Sequence, residues 1–232
     1  MKSNSVRFPF IVCLVFYFII ILFQYRLTQI TKPLYQVNPT CAWCPSQTVD
    51  EVALLPVNSR ISRNILPADP GFFASLVWIR TKYYFGAQSI GPQSFENLLL
   101  LLDQITDLSP QWYFPYFFGG IVLYAEAGQP DEAFFIVNKG IRYHPESWQL
   151  HFLKGFMEWQ YYRIIDQASL TLFAASRLPG APAYLPKLAA TLADQAGNRE
   201  QALEMLYDTM EGILDPGQRK ELELKIEELS LR

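Results

Sequence analysis

The sequence predicts an all-α protein: one transmembrane helix, then a solenoid of stacked helix hairpins closed by a C-terminal capping helix. Three observations carry this prediction. Phe8 to Tyr25 is an 18-residue run without a charge. Beyond Trp112 the chain repeats its own pattern at an interval of 34 or 35 residues. The 232 residues are 50% hydrophobic, 15% aromatic and only 18% charged, with a mean hydropathy of +0.08. That balance is too apolar for a soluble domain alone and too polar for a polytopic transporter. It excludes a disordered tail protein, and a formal net charge of −3 argues against a dedicated nucleic-acid binder.

After a short tail (1–7), the run FPFIVCLVFYFIIILFQY (8–25) would form a helix of about 27 Å, enough to cross the hydrocarbon core. Lys2 and Arg7 would also suit a cleavable signal peptide. However, Gln24-Tyr25-Arg26-Leu27-Thr28-Gln29 offers no small-x-small cleavage site. Cys13 sits within the run without the small residues a lipoprotein signal needs. The segment therefore reads as an uncleaved signal anchor. Lys2, Arg7 and the α-amine precede it, while Arg26 and Lys32 follow, a slight bias for the N-terminus inside. The expected location is the inner (cytoplasmic) membrane, with the soluble part periplasmic or otherwise extracytoplasmic. The opposite orientation would leave the cysteines reduced. Residues 1–32 hold 4 basic and no acidic side chains, whereas the remainder holds 15 basic against 22 acidic.

Residues 26–70 lose periodicity and carry Pro33, Pro39, Pro45, Pro56, Pro67 and Pro70, which predicts an extended juxtamembrane segment. Within it stands Cys41-Ala42-Trp43-Cys44-Pro45. Pro45 excludes haem attachment, which needs a following His. A structural zinc needs four ligands, and the other candidates are Cys13 in the span and His144 and His151 a hundred residues away. No βαβ pattern surrounds the pair as in a thioredoxin-like enzyme. A local disulfide or two idle thiols are the main readings. A metal or cofactor shared with a partner chain, or a catalytic pair, stay as alternatives.

The repeat is read by superposing positions. A shift of 35 maps Phe117 onto Phe152, Gly120 onto Gly155, Tyr124 onto Trp159, Ala133 onto Ala168, Val137 onto Leu172 and Gly140 onto Ala175. A shift of 34 maps Pro145 onto Pro179, Ala168 onto Ala202 and Leu172 onto Leu206. Small residues (Gly120, Gly155, Ala133, Ala168, Ala202) belong where two helices approach closely, and large ones fill the gaps beside them. Prolines then stop each second helix. Three repeats follow, at about 112–145, 146–180 and 181–216. In the last, Pro186 and Ala189 replace the aromatic and the glycine, so its first helix is expected to begin at Pro186. Upstream, Phe72 to Phe85 and Ser94 to Pro110 predict a divergent fourth hairpin (71–111), with a turn at Gly86–Pro92 and Ser94 as cap. Downstream, 217–232 predicts a polar capping helix with Leu222, Leu224, Ile226 and Leu229 among Glu and Lys.

This pattern, an aromatic–small–aromatic first helix, a Gly turn such as Gly128-Gln129-Pro130-Asp131-Glu132-Ala133, and an Ala-x3-large second helix with Pro after it, resembles the tetratricopeptide repeat family. The phrases FFASLVWIRTKYYFG and SRLPGAPAYLPKLAA are similar to bacterial membrane-anchored members. The resemblance implies a right-handed superhelix whose first helices line a concave groove for peptides or partner helices. Transferred position by position, that groove would be Phe118, Val122 and Glu126 in the first full repeat. Leu153, Met157, Gln160 and Tyr161 follow in the second, and Lys187, Thr191, Asp194 and Gln195 in the third. Phe118, Val122 and Leu153 could equally belong to the core. The Lys, Arg and Asn cluster of carboxylate-clamp members is absent, which disfavours recognition of an acidic C-terminus.

No nucleotide-binding, metalloprotease or serine-hydrolase motif is present, and two histidines leave little scope for triads or metal centres. His144 and His151 are expected to form a solvent-exposed surface pair. The aromatic stretches Trp112–Phe118 and Trp159–Tyr162 hold more rings than helix packing requires, as a heavily aromatic core or an exposed docking patch. The expected function is non-enzymatic, without cofactor, metal, nucleic acid or small-molecule substrate. The chain would be a scaffold, assembly factor or accessory subunit binding protein partners in a membrane complex. The alternative is a thiol-redox or cofactor-handling role for Cys41 and Cys44.

Overall fold

The computed structural model describes residues 69–90, 94–211 and 215–231, together with Phe18 and Leu22. Backbone contacts divide the chain into two compact units, Met1–Leu55 and Pro56–Arg232. In the first, Phe18 and Leu22 are helical and exposed. Apart from these two, the expected anchor at 8–25 lies outside the described residues. So do Cys41, Cys44 and all of the Pro-rich segment before Asp69. Among the described residues no helix is long and apolar enough to cross a membrane.

The described part of the second unit is all-helical, with α1 (Pro70–Ile90), α2 (Leu98–Leu108), α3 (Tyr113–Ala125), α4 (Pro130–Tyr143), α5 (Trp148–Gln160), α6 (Ile165–Ser176), α7 (Leu185–Gln195), α8 (Arg199–Glu211) and α9 (Pro216–Ser230). Each packs on its neighbour in sequence, and α2 also meets α4, α3 meets α5 and α7 meets α9. The local starts have identifiable causes. Pro130 opens α4 with Asp131 and Glu132 in its first turn and Arg142 in its last, charges that suit the helix dipole. The Ser147 hydroxyl accepts from the Leu150 N–H at the start of α5, and the Asp215 carboxylate accepts from the Gln218 N–H at the start of α9. Pro186 lies in the first turn of α7, one residue inside the observed start at Leu185. Pro145 and Pro179 fall just beyond α4 and α6.

Close approach inside the hairpins is set by glycine. A Cβ on Gly120 would lie 2.5 Å from Val137 Cγ2 across the α3–α4 contact, and one on Gly155 would lie 2.8 Å from Leu172 Cγ across α5–α6. These are the same pair of positions one repeat apart. Ala133, Ala168 and Ala202 are buried on the facing helices. The turns repeat too. Gly128, Arg163 and Gly197 all have positive φ, at 63°, 59° and 88°. After each, a backbone N–H reaches back to the preceding helix: Gln129 to the Leu123 carbonyl, Ile164 to Glu158 and Asn198 to Ala193, at 2.8, 2.9 and 2.8 Å. The third turn is one residue tighter than the others. Neighbouring turns are also tied: the Tyr162 hydroxyl donates to Asp131 at 2.6 Å, and the Asn198 amide donates to the equivalent Asp166 at 2.5 Å.

Two expectations need correction. The first helix runs to Ile90 instead of ending at Phe85, because Gly86 faces open space and the Ser89 hydroxyl bonds the Phe85 carbonyl within a continuing helix. Ser94 is not the cap of α2, which starts four residues later at Leu98. The Ser94 carbonyl instead accepts from the Tyr84 hydroxyl at 2.9 Å, which ties the loop to α1. Of the four apolar residues in α9, Leu222, Ile226 and Leu229 are buried and Leu224 is exposed, since 224 falls on the opposite side of the helix.

Candidate functional site

The groove positions transferred from the family separate into three groups. Val122 and Met157, equivalent residues of α3 and α5, are 6% and 1% exposed and belong to the core. Their carbonyls accept the first hydrogen bonds of the two turns, from Ala127 and Tyr162. With their side chains buried, neither is available to a ligand. Phe118 is half-buried in a ring cluster: it meets Trp78 edge-on at 5.2 Å and Phe85 at 5.5 Å. Leu153 is half-buried beside Gly120.

Surface-accessible positions remain at Glu126, Gln160, Tyr161, Lys187, Thr191, Asp194 and Gln195. Glu126, Tyr161 and Gln195 are exposed, and the others are half-buried. Several of them already serve the fold. Lys187 pairs with Glu221 of α9 at 3.6 Å, Asp194 lies 4.0 Å from Arg199, and the Thr191 hydroxyl bonds the Lys187 carbonyl. Two residues missing from the transferred set, Phe114 and Ile121, are exposed on α3. Helical periodicity links them, since 114, 118, 121 and 125 share one side of a helix. Reading the stripe as 114, 118, 121 and 125 instead of 118, 122 and 126 would have found them.

Most of the aromatic surplus is engaged within the protein. Trp78 packs edge-on against Trp112, Phe114 and Phe118 with centroids 5.2–5.6 Å apart. Tyr113 stacks on Phe117, and Phe156 meets Tyr124, Phe152 and Trp159. Burial, and then its hydrogen bond to Asp131, push the Tyr162 phenol up to about 12. Tyr116 is fully buried, and that burial raises its phenol above the ordinary range.

The histidines do not form an exposed pair. His144 lies edge-on to Tyr113 and Tyr116, and burial holds its imidazole below the ordinary value against the opposing effect of the Pro110 carbonyl. His151 instead bonds the Pro145 carbonyl at 3.0 Å. Sequence periodicity did not reveal this difference because His144 lies just beyond the end of α4, where side-chain direction is not set by the helical repeat. Among the described residues no group of three His, Cys, Asp or Glu side chains could hold a metal ion.

One buried charge stands out. Glu158 is 3% exposed, with Lys154 3.8 Å from one carboxylate oxygen and no hydrogen-bond partner on the other. Desolvation raises its pKa, opposed by a Thr171 hydrogen bond and the Lys154 charge. It occupies the position held by Leu123 one repeat earlier and by Ala193 one repeat later. In comparison with known proteins, no family model, no curated protein and no solved structure matches the chain.

Proposed function

We propose that this chain is a membrane-anchored protein-interaction module of tetratricopeptide-like hairpins, acting as a scaffold, assembly factor or accessory subunit of a membrane complex. The single observation that supports this reading most is the recurrence of one hairpin geometry. Positive-φ turn residues at 128, 163 and 197, each followed by a reach-back hydrogen bond, accompany glycine contacts at Gly120 and Gly155. Hairpins repeated in this way, each resting on the next, suit a solenoid, and solenoids present an extended surface suited to peptides and helices. In this reading the partner contacts the first helices through Ile121, Leu153, Gln160 and Tyr161, with Lys187 and Gln195 further along. The expected anchor at 8–25 would hold the module in the membrane plane and raise its effective concentration toward a membrane-bound partner. The inner membrane, with the hairpins on the extracytoplasmic side, is the proposed location.

The test is affinity isolation of the full chain in mild detergent. A stoichiometric protein partner is expected, and Ile121→Glu combined with Tyr161→Glu should release it while leaving the helical content unchanged. Cys41→Ser with Cys44→Ser should leave the complex intact, which separates an interaction module from a thiol-redox protein. Recovery of the chain alone would overturn the proposal.

A further inference from the structure

Helix α1 carries apolar residues on both sides. Ala74, Val77, Trp78, Thr81 and Tyr84 are buried. Phe72, Leu76, Ile79, Tyr83 and Ile90 are exposed, Ile79 at 60% and Ile90 at 92%. At about 3.6 residues per turn those five fall on a single stripe, opposite the buried face and roughly 27 Å long. Lys82, exposed, lies roughly 80° to one side of it, and Arg80, half-buried and engaged within the protein, lies about as far to the other. No Asp or Glu occurs in Pro70–Ile90, whereas residues 94–231 carry 10 basic and 19 acidic side chains.

We infer that this stripe rests on an anionic lipid bilayer, with α1 lying in the plane of the interface. The inference builds on the membrane-anchored reading above. An interfacial helix needs an apolar face to bury among acyl chains, basic side chains at its margins to meet lipid phosphates, and some means of satisfying its other face. In α1 the other face is satisfied by the protein. Tyr83 adds an amphipathic ring of the kind enriched at membrane–water interfaces. Charge separates this occupant from the rest. A second copy packed face to face would bring two exposed Lys82 side chains into one seam that holds no acidic residue of the helix. The acidic character of residues 94–231 turns them away from an anionic surface, leaving α1 as the side that approaches.

The full chain is reconstituted in vesicles of phosphatidylcholine and phosphatidylglycerol with the photoreactive residue p-benzoylphenylalanine at position 79. A control carries it at 224, an exposed leucine of α9 outside the stripe. Irradiation should add one phospholipid mass at 79 with a yield several-fold above that at 224, and pure phosphatidylcholine should lower that yield. A cross-link from 79 to a second copy or to residues 24–68, equal lipid labelling at 79 and 224, or equal labelling on neutral vesicles would each overturn the inference. Flotation of the same samples keeps the two readings apart. Protein that floats with the vesicles without lipid labelling at 79 refutes the inference alone, and protein that does not float refutes the anchored reading as well.

Discussion

In the α3–α4 hairpin the turn residue with positive φ is Gly128, and the carbonyl that closes the turn belongs to Leu123, a core residue. Thirty-five residues on, in α5–α6, the same two positions hold Arg163 and Glu158. The backbone does not change: φ is 63° in one and 59° in the other, and both hydrogen bonds of the turn recur. One hairpin has the residues its geometry favours, while the other has a side chain where glycine belongs and a carboxylate where leucine belongs. The geometry must therefore be imposed by what the hairpins share, namely glycine-mediated helix contact and the packing of each hairpin on its neighbours. The local residue preferences of the second hairpin oppose it and lose.

The comparison breaks first at the shared contact. Gly120→Ala and Gly155→Ala each force a methyl group to within 3 Å of the facing side chain, and overpacking of this kind costs about 1–3 kcal/mol. If the two hairpins are equivalent, chemical denaturation should report losses of similar size. A large loss at one site and none at the other would show that the contact does not define both. Next comes the core position. Burial disfavours the Glu158 carboxylate more than Thr171 and Lys154 favour it, and the partly exposed Lys154 can turn to solvent once its partner is gone, so Glu158→Leu should raise stability at neutral pH by about 1–2 kcal/mol. A carboxyl whose folded pKa is raised contributes stability that is complete below its ordinary value of 4.5 and is lost as pH rises through the folded value. The advantage of Glu158→Leu should therefore shrink as pH falls toward 4.5, in a series of denaturation curves. The smallest effect belongs to the turn. Left-handed backbone disfavours a residue with a Cβ by roughly 1–2 kcal/mol, and glycine gives part of that back in chain entropy. Arg163→Gly should raise stability by about 1 kcal/mol, whereas Gly128→Arg should lower it by a comparable amount.

Much of this hairpin pair was legible from residue spacing. Gly120 with Gly155, and Ala133 with Ala168 and Ala202, identify the close contacts because nothing larger fits there. Recurrence at 34 or 35 residues sets the register without any reference to structure. What the spacing could not convey was the direction of individual side chains within a helix. Val122 and Met157 were placed one residue away from the exposed stripe, and a shift of one residue turns a helix by about 100°, enough to move a side chain from surface to core. Departures from the pattern were also hard to read. Arg163 in a glycine position is invisible unless the second turn is superposed on the first. The length of α1 was missed because Gly86 reads as a helix stop, although a glycine facing open space permits a helix to continue.

Among the described residues every extensive contact between helices joins elements adjacent or next-but-one in the chain. These hairpins gain stabilising contacts without closing a long loop, so their search for the native state is short and local. Any hairpin can nucleate, and order then spreads outward to its neighbours. The same arrangement governs disassembly. If the proposed anchor and partner hold the two ends, tension between them would peel helices away in sequence, leaving the remaining hairpins intact and able to re-form the lost ones when the load is released.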